Sequence, residues 1–200
     1  MKLGVIPQSR FDPTIRKVKE NADNYIIDNK PQLYKLEEDF MKGKVVILMG
    51  SKSDLDFSQK IAKYLDDLGV EYEFRVASAH KTPEKVLEIL REYENSRVVY
   101  VTVAGRSNAL SAFVDANTLK PVIACPPYSD KFSGADIYSS LRVPSGIGSV
   151  VTIEPEGAAI AAAKILALED PDILDRVRKH QAYKKREVEE ADKELRGMRG

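Results

Sequence analysis

Tryptophan is absent from this chain of 200 residues, cysteine occurs once and histidine twice. The single thiol, Cys125, cannot form an intrachain disulfide, which suits a reducing compartment. With no CxxC, HExxH or His-rich tract, the sequence offers no zinc pattern, and no metal is expected. Neither sign of charge is in excess: 31 basic and 31 acidic residues cancel. No global field therefore recruits nucleic acid or a membrane surface. No apolar run approaches membrane-spanning length. The N-terminus "MKLGVIPQSR" lacks the apolar core of a signal peptide, so the cytoplasm is the expected setting. Missing too are GxGxxG and the phosphate-loop pattern GxxxxGK followed by Ser or Thr, which weakens dinucleotide and P-loop readings.

What is present reads as a soluble globular chain, 43% hydrophobic and 31% charged, long enough to bury a core without covalent staples. Three regions stand out. Residues 1–43 are polar and mixed, and read as two short helices split at Pro31, an appendage of unknown role. From 44 to 169, runs rich in β-branched residues alternate with helical patterns. The runs are 45–49 "VVILM", 71–76 "EYEFRV", 98–103 "VVYVTV", 121–125 "PVIAC" and 149–153 "SVVTI". The first, third and fourth are nearly continuous apolar, as strands buried on both faces of a parallel sheet are.

Between them, Phe57, Ile61, Leu65 and Leu68 follow helical spacing, with Gly69 as the stop. Thr82 and Pro83 suit an N-cap and first turn ahead of Val86, Leu90 and Tyr93. Leu110, Phe113 and Val114 suggest a third helix, and Pro155 opens an alanine-rich fourth that should pack closely against something. The expectation is a three-layer αβα doubly wound parallel sheet of flavodoxin-like order, with its ligand at the carboxyl ends of the strands. Residues 170–200 are heavily charged and read as a long C-terminal helix with a thin stripe of Ile173, Val177 and Tyr183. His180 reads there as a surface residue.

Four consecutive strand ends carry small, polar or charged residues. "GSKSD" at 50–54 can present backbone N–H groups, the Ser51 and Ser53 hydroxyls and the Asp54 carboxylate to a sugar phosphate, or be an ordinary helix cap. At 76–84, "VASAHKTPE" offers Ser78 and Lys81 to the same phosphate, and His80 either for proton transfer or as turn filler. Gly105, Arg106, Ser107 and Asn108 follow the third strand. Arg106 is an anion binder or an ion-pair former, and Ser107 and Asn108 are donors or caps. Cys125 reads as a small buried residue, and the Gly- and Pro-punctuated loop 141–149 as a cover over the site. This convergence points to a small phosphorylated ligand with no cofactor fingerprint. A non-catalytic nucleotide-binding module would keep the phosphate loop without needing His80. An FMN-binding relative of flavodoxin would want stacking aromatics, which are scarce.

In order and spacing, "GSKSD", "SAHKTPE", "VAGRSNALS" and "PVIACPP" resemble the phosphoribosylaminoimidazole carboxylase (PurE) family of de novo purine biosynthesis, over about 44–169. One branch of that family moves a carboxylate from N5 to C4 of its ribonucleotide. The other, class II, adds CO2 directly to C4 of 5-aminoimidazole ribonucleotide (AIR). Mutase sequences usually read SAHR and carry a second histidine in the third motif. Here the matching residues are Lys81 and Asn108, which looks like the carboxylase branch.

The resemblance implies His80 as proton shuttle and Ser51, Ser78 and Lys81 on the 5'-phosphate. It implies Asp54 on the ribose, and Gly105, Arg106, Ser107 and Asn108 around the nascent carboxylate or CO2. Lys81 is equally a candidate for stabilising the carboxylate. The same resemblance implies no biotin, ATP or metal, and a homo-octamer in which the 157–168 and C-terminal helices are assembly surfaces.

Overall fold

The computed structural model describes residues 43–198. The helical extension expected over 1–43 thus lies outside the described residues, apart from Gly43. Five parallel strands, β1 (Lys44–Met49), β2 (Glu71–Val76), β3 (Val98–Val103), β4 (Val122–Ala124) and β5 (Val150–Val151), form one sheet in the order β2-β1-β3-β4-β5. The helices are α1 (Leu55–Asp67), α2 (Pro83–Glu92), α3 (Ala109–Ala116), the single turn α4 (Tyr138–Leu141), α5 (Pro155–Leu166) and α6 (Pro171–Gly197). The order is the expected flavodoxin-like one, and it reverses between β1 and β3.

The period-2 alternation of strand side chains divides the core into two layers. Val45, Ile47 and Met49 pack with α1, α5 and the start of α6, while Val46 and Leu48 pack with α2 and α3. Every residue of β3 is buried, as a near-continuous apolar run in a central parallel strand requires. β2, at the sheet edge, alternates instead. Tyr72 and Phe74 pack on the α1 side, whereas Glu73 bonds Lys44 Nζ at 3.0 Å and Arg75 bonds Glu92 and the Tyr93 hydroxyl. β5, expected over 149–153, pairs only through Val150 and Val151, although the Thr152 N–H still donates to the Ala124 carbonyl at 3.0 Å.

Gly69 ends α1 with φ +59, the left-handed stop that its sequence position suggested. Thr82 holds the N-cap position of α2, but its hydroxyl turns back to the Ser78 backbone rather than capping the helix. The alanine-rich helix packs closely, as its composition predicts. Ala158, Ala159, Ala162 and Ala163 are fully buried within this same chain, because small side chains let α5 lie close to α1 and the sheet. That face is therefore not free to be an assembly surface.

α6 begins with the Asp170 carboxylate accepting from the Asp172 and Ile173 N–H groups, both at 3.0 Å. Ile173 and Val177 are buried, but Tyr183 is 52% exposed, and every residue from 181 to 198 is exposed. His180 is less superficial than its charged surroundings suggested: its Nε2 lies 3.3 Å from Glu156 Oε1, which Lys184 Nζ also approaches at 3.3 Å. No described helix is long and apolar enough to cross a membrane.

Candidate active site

At the point where strand order reverses, the Gly50 N–H donates to the Val103 carbonyl at 2.9 Å and ties the two diverging loops together. A Cβ on Gly50 would lie 3.2 Å from Ala104 Cβ, so this close crossing needs a small residue. The chain then turns through Lys52–Asp54 in a capping box. The Asp54 carboxylate accepts from the Ser51 N–H at 3.0 Å, and Ser51 Oγ accepts from the Ser53 N–H at 3.3 Å and its hydroxyl at 3.0 Å. Burial raises the Asp54 carboxyl above its ordinary value, opposed by the Ser51 N–H and the Arg106 charge.

After β2, the loop carrying the histidine is wound on Ser78. Its N–H donates to Thr82 Oγ1 at 3.0 Å, its hydroxyl accepts from the Lys81 N–H at 3.3 Å, and its carbonyl accepts from the Thr82 N–H at 2.8 Å. The backbone is thus fixed while the His80 and Lys81 side chains stay exposed, with no hydrogen bond or ion pair to the described residues. They are available to a ligand.

The loop after β3 is held by a segment the sequence did not single out. Arg106 adopts φ +60, a left-handed conformation costly for a side-chain-bearing residue. Its N–H donates to Asp136 Oδ2 at 3.0 Å and its carbonyl accepts from the Ser139 hydroxyl at 2.7 Å. Asn108 is 3% exposed. Its Nδ2 donates to Ser140 Oγ at 2.9 Å, its Oδ1 accepts from the Ser111 N–H at 3.3 Å, and its own N–H donates to Ser139 Oγ at 3.0 Å.

The loops after β1, β2 and β3 border a cleft of about 580 Å³. Of the residues read as site candidates, Ser51, Asp54, Ser78, His80, Lys81, Gly105, Arg106 and Ser107 all line it. Asn108 does not: its amide is engaged as cap and brace beneath the loop. Pro127 and Tyr128 complete the wall from the β4 end and adjoin a second recess of about 380 Å³ reaching Ile137 and Glu154. Cys125 lies beneath them, wholly buried, and burial pushes its thiol up to about 12. At that value it is no nucleophile at neutral pH. Loop 141–149, expected as a cover, does not line this chain's cleft; the Gly148 N–H is drawn instead to Asp115 Oδ2 at 2.7 Å.

The residues missed in the sequence, Tyr128, Asp136, Ser139 and Ser140, share a cause. Tyr128 lies in the irregular stretch after β4 and the others on a short 3-10 turn and the single-turn α4, where no periodic pattern marks them. The only signal near them was Gly134, next to the left-handed Ser133.

A protein-family model described as AIR carboxylase matches residues 44–187. A phosphoribosylaminoimidazole carboxylase of Archaeoglobus fulgidus is 63% identical over 153 residues, covering 76% of this chain and 85% of that one. Its counterpart from Treponema denticola is 49% identical over 158 residues, covering 78% and 99%. The crystal structure of Treponema denticola PurE superposes with a TM-score of 0.74 at 49% identity, covering 76% of this chain and 98% of the other.

Proposed function

The chain belongs to the AIR carboxylase family, and from that premise we propose that it carboxylates AIR at C4 with CO2. The product is 4-carboxyaminoimidazole ribonucleotide, formed reversibly and without ATP as a step of purine biosynthesis. The observation that carries this reading is the presence of free His80 and Lys81 side chains in one cleft with the Ser51–Asp54 turn and the 105–107 loop.

The 5'-phosphate sits on the Ser51 and Ser78 hydroxyls, with Asp54 accepting from the ribose hydroxyls. That places C4 of the ring toward His80 and the loop after β3. The 5-amino group makes the ring enamine-like. C4 attacks the carbon of CO2, the new C–C bond takes the electron pair from the ring, and one C=O π pair moves onto oxygen. His80 then accepts the C4 proton and the ring regains its aromaticity. Lys81 and the Ser107 hydroxyl offset the negative charge that grows on the carboxylate. Because the nucleophile is built into the substrate, the reaction as written calls for no biotin, ATP or metal.

The direct carboxylation is favoured over transfer from N5 by Lys81 and by the chemistry of position 108. A buried amide already engaged at both ends cannot shuttle protons as a second histidine would. The test is purified protein with AIR and bicarbonate, with and without ATP, measuring 4-carboxyaminoimidazole ribonucleotide. Turnover of AIR that ATP does not change is expected. Turnover only of the N5-carboxylated compound would identify a mutase, and binding without turnover a non-catalytic module. The same proposal places the protein in the cytoplasm, in keeping with its single unpaired cysteine, and assembles it as a homo-octamer.

A further inference from the structure

We propose that Tyr128 is the stacking platform for the aminoimidazole ring, an assignment that rests on AIR being the substrate. Among the described residues, Tyr128 is the only tyrosine, phenylalanine or tryptophan lining the cleft, on the wall it shares with Gly105, Arg106 and Pro127. It is 74% exposed, and no hydrogen bond among the described residues uses its hydroxyl. A large apolar ring left so open at the mouth of a polar cleft is a surface for a flat ligand.

The loop around it is built to hold that ring in place. Pro126 and Pro127 stiffen the approach. The turn closes on itself through the Gly134 N–H to the Ser129 carbonyl at 3.2 Å and the Ser133 N–H to the Asp130 carbonyl at 3.1 Å. Gly134 then lies against the ring edge in a left-handed conformation, φ +75, where a Cβ would come 2.9 Å from Tyr128 Cε2. Two constraints therefore demand glycine at 134: its own backbone and the ring's position. The rest of the cleft wall is largely hydroxyl, carboxylate, cation and backbone, which suits phosphate, ribose and carboxylate; its apolar members Ala79, Ala104, Leu110 and Pro127 present no aromatic face to a neutral heterocycle.

Calorimetric titration with AIR and, separately, with ribose 5-phosphate separates this role from a structural one. Removing a stacking partner costs roughly 5- to 100-fold in affinity. Tyr128→Ala should weaken AIR binding by that factor and leave ribose 5-phosphate binding unchanged, and Tyr128→Phe should recover most of the loss. Gly134→Ala should reproduce the Tyr128→Ala phenotype by displacing the ring. Unaltered AIR affinity in Tyr128→Ala, or an equal loss for ribose 5-phosphate, overturns the assignment. A Phe variant as weak as the Ala variant overturns stacking in favour of the hydroxyl. If the unaltered protein binds ribose 5-phosphate but gains nothing from the base of AIR, the substrate reading itself fails.

Discussion

At the scale of single residues, the cleft separates groups that hold from groups that react. Ser51, Ser78 and Asp54 are already engaged in local hydrogen bonds, whereas the His80 and Lys81 side chains are free. His80→Asn should lower kcat by about 10²- to 10⁴-fold, the usual worth of a general base, while AIR still titrates the protein. Full activity in that variant would remove His80 from the mechanism. Asp54 gives a pH-dependent prediction. Its carboxyl is raised above the ordinary 3.8 by burial, so the folded state keeps the proton after the unfolded chain has lost it. Stability is then highest below that ordinary value, declines as pH rises through the folded value, and stays reduced at neutrality. Asp54→Asn, which keeps an acceptor for the Ser51 N–H, should melt higher than the parent at pH 7, with the gap closing below about pH 3.5. Asn108 shows where residue chemistry left two roles open. Ser107-Asn108 after an apolar strand fits donors and caps equally, and only the spatial neighbours Ser139 and Ser140, distant in sequence, decide between them. Asn108→Ala should cost about 2 kcal/mol in chemical unfolding, the sum of a lost cap and an unsatisfied buried hydroxyl.

At the scale of elements, legibility followed periodicity. The runs 45–49 and 98–103 declared buried parallel strands because both faces of each are apolar, and α1 declared itself through Ile61, Leu65 and Leu68. The segment from 130 to 141 has no such signature, because it is built from two 3-10 turns and a single helical turn joined through left-handed Ser133 and Gly134. Yet it clamps the 105–108 loop, so part of the site's rigidity comes from the least legible stretch. The alanine-rich helix was read correctly as closely packed, and its alanine face meets α1 and the sheet of the same chain. Composition says that a helix approaches something, not which chain supplies the contact. Ala162→Leu puts a branched side chain where α5 is fully buried, and should destabilise the protein by about 1–3 kcal/mol through overpacking, read as a lower thermal midpoint. A neutral result would mean that the α1–α5 contact is looser than its burial indicates.

At the scale of the whole molecule, topology placed the site before any residue was assigned, since strand order reverses where Gly50 meets the end of β3. Oligomeric state was not legible in that way, but α6 offers a handle. Its 27 residues span about 40 Å. Beyond His180 they carry the exposed Tyr183, Val188 and Leu195, apolar surface that the described chain leaves uncovered, although Lys184 still reaches Glu156. A variant ending at Gln181 should keep the far-UV signature of the sheet but sediment as a smaller species. Unchanged sedimentation would show that the helix takes no part in assembly. The sheet itself limits how copies can meet. At one border β2 carries Glu71, Glu73 and Arg75 along its length; at the other, β5 pairs through only two residues. Charge blocks strand addition at the first border and brevity at the second. Among the described residues neither border favours templating another chain's backbone, so the sheet should resist cross-β growth, and contacts between copies are expected through helices and loops.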